Sequence, residues 1–167
     1  MLKIYVNTWG NYNEHGAAGG KWIQLPDPDL DDTLEAIAER MGDTDPEWFA
    51  NDYEWTCGYN LGKASEYESI SKLNEIAEEL AYLDDCDLEK LAAIVEEQTD
   101  YVEIAMEQLD DCTYYPGMTL EEVAEQIVDE CYNLPEIALR YFDYEAFARD
   151  LRFDGYCETT HGVICIY

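Results

Sequence analysis

The most constraining feature of this sequence is the stretch of residues 66–130, which is strongly acidic and yet patterned for folding. It holds 21 aspartates and glutamates against two lysines, Lys72 and Lys90. Its apolar residues recur at intervals of three and four, the spacing of one helix face. The three sets are Ile70, Leu73, Ile76, Ala77, Leu80, then Leu88, Leu91, Ala92, Val95, then Leu120, Val123, Ala124, Ile127, Val128. The stretch therefore predicts amphipathic helices with anionic outer faces.

The composition of the whole chain excludes several classes of protein. Its hydrophobic content of 47% and aromatic content of 13% are too high for a disordered polyanion. The net charge of −30 costs stability through self-repulsion, so solubility alone does not explain it. Nine lysines and arginines against 39 acids argue against binding to nucleic acid or to an anionic membrane. The charge therefore predicts a basic partner.

No recognisable catalytic or metal motif accompanies the charge. The six cysteines are scattered without a C-x-x-C pair, and no signal peptide or membrane span is evident, which favours a reduced, cytoplasmic protein. Neither histidine lies in a triad or metal motif. The run from Asp27 to Asp31 begins like a calcium loop but lacks its glycine and its final glutamate. We therefore expect no catalytic residue, no metal and no cofactor, and a protein that is not an enzyme.

The secondary structure is predicted from apolar periodicity and from turn and cap residues. Strands are expected at residues 2–7, 21–25, 48–55 and 112–116, with a C-terminal hairpin over 156–167 turning at His161 and Gly162. A loop is expected over 9–20. Helices are expected from Asp32 or Thr33 to 41, over 69–83, from Asp87 to 98, over 101–109, from Thr119 to about 131, from Pro135, and from Asp143 to 151.

The patterning changes from alternation to helical periodicity and back, which predicts an α+β chain of three small domains. They are a mixed α/β domain at 1–61 with a small antiparallel sheet, an acidic helical domain at 62–106, and an α+β domain at 107–167. Thirty charges correspond to roughly 50 Å of duplex DNA, which carries one charge per about 1.7 Å of axis. A compact globule of this length would measure only about 40 Å across, so the chain is expected to be elongated.

Outward-facing acids of these helices are the candidate binding residues, because their density suggests the charge of a DNA backbone. A halophilic protein would also be rich in acids, but its acids should be spread evenly along the chain. The clustering of acids within residues 66–130 instead favours binding to a basic protein partner. The predicted phosphate-mimicking residues are Glu68, Glu75, Glu79, Glu89, Glu96, Glu97, Glu121, Glu122, Glu125 and Asp129.

The C-terminal third resembles a known family. Residues 141–151 (YFDYEAFARDL), followed by Thr160-His161-Gly162, resemble the signature of the ArdA antirestriction proteins. Further similar motifs are Tyr12-Asn13-Glu14, Leu25-Pro26, Asp52-Tyr53-Glu54, Tyr67-Glu68-Ser69-Ile70 and Tyr114-Tyr115-Pro116-Gly117. The resemblance implies an elongated three-domain DNA mimic, carried by bacterial plasmids and conjugative transposons. It implies that the protein occupies the DNA groove in the methyltransferase core of type I restriction–modification enzymes and inhibits them without catalysis.

The family's antirestriction motif maps onto residues 134–151. Its candidate residues are Leu134, Pro135, Tyr141, Phe142, Asp143, Tyr144, Glu145, Phe147, Arg149, Asp150 and Leu151. This segment concentrates aromatic residues beside few acids, so it is the predicted homodimer interface. Core packing and dimer contact both stay open for Tyr141, Phe142, Tyr144 and Phe147. Arg140, Arg149 and Arg152 are expected to pair with carboxylates of their own chain.

One alternative function stays open on sequence grounds. Electrostatics gives the sign of the partner but not its identity, so the chain could instead be an acidic binding module for another basic DNA-binding protein. A nucleoid protein or a nuclease outside restriction would fit the charge equally well.

Overall fold

A computed structural model describes residues 1–64 and 69–166 of the chain. Its strands are β1 (Leu2–Thr8), β2 (Lys21–Leu25), β3 (Trp48–Trp55), β4 (Cys112–Pro116), β5 (Tyr156–Glu158) and β6 (Gly162–Ile166). Its α-helices are α1 (Trp9–His15), α2 (Leu30–Met41), α3 (Ile70–Leu80), α4 (Asp85–Glu97), α5 (Val102–Glu107), α6 (Leu120–Cys131), α7 (Glu136–Leu139) and α8 (Tyr144–Leu151). The sheets are two separate antiparallel ones, which confirms the predicted α+β class.

The chain divides into two compact units, residues 1–88 and 89–167. The predicted boundary after residue 61 falls within the first unit. The three-domain arrangement and the elongated shape stay predictions.

The first unit is built on a sheet of order β2-β1-β3. The central strand β1 alternates as its sequence predicts, and Leu2, Ile4 and Val6 are fully buried. Helix α3 packs against β2 and β3. The side chain of Asn74 on that helix accepts a hydrogen bond of 2.7 Å from the backbone nitrogen of Asp27. The helix is therefore fixed to the loop that follows β2.

The predicted loop over residues 9–20 is wrong, because its first half is helix α1 and a 3-10 turn follows at Gly16–Gly19. The sequence WGNYNEH has no apolar periodicity that would signal a helix. Its start is fixed by Thr8, whose hydroxyl accepts from the backbone nitrogen of Asn11. Trp9 then stacks on Phe49 of β3 with ring centroids 4.1 Å apart. Helix α1 is therefore stabilised by its N-terminal cap and by a tertiary contact, although its sequence lacks apolar periodicity.

Two predicted helix starts are displaced. Helix α2 begins at Leu30 because Asp27 orders the preceding turn, accepting from the backbone nitrogen of Asp29 and the hydroxyl of Thr33. Helix α4 begins at Asp85, and the side chain of Asp84 accepts from the backbone nitrogen of Asp87. Asp87 therefore lies within the first turn instead of capping it.

The second unit is built on a sheet of order β4-β6-β5, against which α6 and α8 pack. One core cluster of this unit contains Leu120, Val123, Ala124, Ala148, Leu151 and Val163. The predicted caps of both helices are confirmed, since Thr119 caps α6 and Asp143 caps α8. A Cβ atom on Gly162 would collide with the carbonyl oxygen of Tyr115, so β6 can pair with β4 only with glycine there.

All six cysteines are free thiols. Burial raises the pKa of Cys112, and burial together with the nearby carboxylate of Glu97 raises the pKa of Cys157. Both thiols are therefore held in the protonated form. Within residues 1–64 and 69–166, no three His, Cys, Asp or Glu residues come together as a metal site. No helix in these ranges has the length and apolar character needed to cross a membrane.

Candidate functional site

The acidic residues lie at the surface almost without exception. Of the 39 acids, 37 belong to the described residues, and 32 of these are exposed. The five half-buried ones are Asp27, Asp43, Asp87, Glu89 and Glu103. None of the 37 is buried. Burying an unpaired carboxylate is costly, so the fold keeps its negative charge in contact with water.

Two helices display the predicted mimic residues on their outer faces. On α6, Glu121, Glu125 and Asp129 are exposed, while the opposite face of the helix is buried in the core. On α3, Glu75 and Glu79 are exposed in the same way. Residues four apart rise about 6 Å along a helix axis, so each helix carries a regular row of charges. Glu68 lies outside the described residues.

Glu96 has a structural partner that the sequence does not reveal. Its carboxylate accepts hydrogen bonds from the backbone nitrogen of Thr160 at 3.1 and 3.2 Å and from the hydroxyl of Thr160 at 3.1 Å. It therefore holds the turn between β5 and β6 against the end of α4. No local signal predicts this contact, because the two residues are 64 positions apart in the chain.

Glu122 is committed to the capping box of α6. It accepts from the backbone nitrogen of Thr119 at 2.8 Å, and the hydroxyl of Thr119 accepts from the backbone nitrogen of Glu122 at 3.3 Å. The hydrogen bonds from Thr119 lower the pKa of Glu122. Glu96 and Glu122 thus stabilise local structure, whatever further contacts their charges make.

Few cations offset the exposed acids. Arg152 pairs with Glu158 at 2.7 Å, as predicted, and Lys72 lies 3.8 Å from Glu75. For Arg140 and Arg149 the predicted internal pairing is wrong, since neither forms an ion pair with any described residue. Both are exposed, so their charges are available to a partner.

Residues 134–151, the predicted dimer region, divide between interior and surface. Leu151 is buried in the core and Phe147 packs against it. Phe142 lies 4.9 Å from Tyr144 and 5.7 Å from Phe147, measured between ring centroids. Tyr141 behaves differently, because 81% of it is exposed. The rest of the segment follows the same division, with Leu134 half-buried and Pro135, Asp143, Glu145, Arg149 and Asp150 exposed.

The family model of the ArdA antirestriction proteins matches residues 4–165. The chain belongs to the ArdA family. The members of this family are antirestriction proteins. They are inhibitors, and their function implies interaction with restriction enzymes. A comparison with individual curated proteins gives no match.

Membership of the ArdA family agrees with the resemblance found in residues 141–151 and 160–162. The structure gives parts of that signature a physical role. Asp143 caps α8, Leu151 is buried in the core, and Thr160 donates hydrogen bonds to Glu96. These residues are therefore structural, whereas the exposed Tyr141 has no such role in the described fold.

Replacing Glu122 with glutamine is expected to lower the urea midpoint of unfolding at about pH 7. The folded state lowers the pKa of this carboxyl, so its contribution to stability is present above the ordinary glutamate pKa. That contribution is lost as pH falls through the lowered folded pKa, so the difference from the parent protein should shrink on acidification. Glu121→Gln, in the same helical turn but outside the capping box, is the control. A pH-independent difference would contradict this account.

Proposed function

We propose that this ArdA-family protein is a DNA mimic that inhibits type I restriction–modification enzymes by occupying their DNA-binding groove, without catalysis. The observation that carries the proposal is the location of the charge, because no described carboxylate is buried and 32 of 37 are exposed. A groove that binds duplex DNA is lined by basic residues that neutralise phosphates. A folded surface with this density of carboxylates is complementary to such a groove.

The regular rows on α3 and α6 support mimicry of a backbone more than one discrete docking site. Each exposed carboxylate in a row can meet a different lysine or arginine of the groove. Exposed ion pairs contribute only about 0–1 kcal/mol each, so affinity would come from the sum of many contacts. Screening over about 8 Å at physiological ionic strength would make this affinity sensitive to salt.

We also propose that the protein acts as a homodimer built on residues 134–151. Ile137 and Tyr141 are 72% and 81% exposed and lie four residues apart, so the segment presents two large side chains to solvent. Arg140 and Arg149 reduce the negative charge of the same segment. Self-association of a chain of charge −30 requires its least acidic apolar surface, and this segment fits that requirement.

The direct test is a titration of a type I methyltransferase core, loaded with fluorescently labelled duplex DNA, with this protein. Full displacement of DNA is expected, with an apparent affinity that falls as salt is raised. A ternary complex of enzyme, DNA and protein would contradict occupation of the groove.

A second test distinguishes the alternative partner. Bacteria with a type I system are challenged with unmodified phage, with and without the gene for this protein, and plating efficiency is expected to rise with it. The same protein is titrated against a nucleoid protein and a nuclease bound to DNA. If the protein displaces DNA more tightly from the nucleoid protein or the nuclease, and the phage is not rescued, the alternative acidic binding module is favoured.

A further inference from the structure

The first unit carries an aromatic cluster that is not part of the acidic rows on α3 and α6. Trp9 and Tyr12 lie on α1, and Phe49 lies on β3. Trp9 stacks on Phe49 with centroids 4.1 Å apart and planes inclined by 16°, while Tyr12 meets both rings nearly edge-on at 6.0 and 5.7 Å. Trp9 is nevertheless 49% exposed. Phe49 covers one face of the indole and Tyr12 lies to the side of the stack at similar distances from both rings, so neither of them covers the other face.

Acidic residues lie on the segments next to this cluster. The backbone nitrogen of Trp9 donates to the carbonyl of Glu47, which places the loop before β3 beside the start of α1. The hydroxyl of Thr8, the residue before Trp9, donates to the carboxylate of Asp43 at 2.6 Å. Glu14 and Glu47 are exposed acids of the same region. Three acids, Glu14, Asp43 and Glu47, therefore lie on the segments that carry or adjoin Trp9.

We propose that the exposed face of Trp9 binds an arginine side chain of the basic partner, with the nearby carboxylates assisting. A guanidinium is planar, stacks on aromatic rings and is attracted by the negative face of the ring, most strongly for tryptophan. Nearby acids would repel an anionic ligand and attract a cation. The inference rests on the proposed function for the identity of the partner, and it adds a contact that is not simple charge pairing.

Such a contact differs from the carboxylate rows in its dependence on salt. Exposed ion pairs are weakened by added salt, whereas a guanidinium stacked on an indole is partly desolvated and is screened less. The contribution of Trp9 should therefore persist at salt concentrations that remove most of the carboxylate contribution.

The test compares Trp9→Leu, Trp9→Met and Trp9→Phe with Trp22→Leu in displacing DNA from the methyltransferase core. Trp22 is a matched control, since it is 44% exposed on the same unit and packs on an aromatic ring of its own, Tyr5 at 5.3 Å. The Leu and Met variants are expected to bind about 5- to 30-fold more weakly, the range of a desolvated cation–π contact. The Phe variant should keep most of the affinity, and the Trp22 variant should stay within about twofold of the parent.

Salt supplies the second readout, and urea unfolding checks that each variant keeps the parent fold. The ratio of the Trp9→Met and parent dissociation constants is expected to stay constant as salt is raised. A further measurement uses the parent protein labelled with fluorotryptophan, in which Trp9 gives its own fluorine resonance. The resonance is assigned by its absence from the spectrum of Trp9→Phe. That resonance should shift when the methyltransferase binds.

The outcomes separate the two proposals. If the parent protein fails to displace DNA, the proposed function fails. If the parent displaces DNA but Trp9→Leu and Trp9→Met bind as tightly as it does, the arginine contact is overturned and the DNA mimic stands. An equal loss for Trp22→Leu, or a Trp9 resonance unchanged by binding, would also overturn the arginine contact.

Discussion

Neutralising five carboxylates of the outer helix faces at once is expected to weaken binding to a type I methyltransferase by about a hundredfold. The combined variant is E75Q, E79Q, E121Q, E125Q and D129N. Each exposed pair contributes about 0–1 kcal/mol, so five losses add to at most about 5 kcal/mol, a factor of a few thousand, and the middle of that range is about a hundredfold. Each single change should cost less than about tenfold by the same reasoning. Glu96 and Glu122 are kept in this variant because they hold Thr160 and Thr119.

The control keeps the charge and changes only the side-chain length, with E75D, E79D, E121D, E125D and D129E. It should bind within a few-fold of the parent protein. The neutralised variant is also expected to be slightly more stable to urea, because like charges four residues apart on a helix repel by about 0.2–0.5 kcal/mol per pair. Loss of all inhibition from a single Gln change, with the fold intact, would indicate one discrete docking residue and contradict the mimic.

Replacing Ile137 and Tyr141 together with glutamate is expected to convert the proposed homodimer into a monomer. Both side chains are largely exposed in the single chain, and their burial against a second copy would be lost on introducing two more charges into an already acidic protein. Light scattering of the parent at micromolar concentration and moderate salt should give twice the chain mass of 19.3 kDa. The double variant should give 19.3 kDa.

Tyr82→Glu is the matched control for the dimer, since Tyr82 is 91% exposed but lies in the first unit. It should leave the particle mass of the parent unchanged. A monomeric parent protein would contradict the proposed dimer outright. Dissociation by Tyr82→Glu, with Ile137→Glu/Tyr141→Glu still dimeric, would move the interface to the first unit.

The sequence alone determined those elements whose signals are local. Residues 112–116 and 120–131 were predicted within one residue of their bounds, because CTYYP is apolar and aromatic enough for a strand and the Thr119–Glu122 capping box sets where a helix starts. Gly42, the glycine that follows the predicted helix end at residue 41, has φ of 72° and forms a left-handed cap. The outward direction of Glu121, Glu125 and Asp129 likewise follows from the period of the helix. Local geometry therefore suffices for the acidic faces on which the proposed function depends.

Tertiary structure alone decided the features that depend on residues distant in the chain. Helix α1 has no apolar period and is held by the stacking of Trp9 on Phe49, 40 positions away. Glu96 resembles every other exposed acid in the sequence, and only the fold brings it to Thr160. The sequence also did not determine which aromatic side chains of residues 134–151 are interior, because this depends on the elements that pack against them. The core covers Phe147 and leaves Tyr141 in water, although both suit a core or an interface by composition.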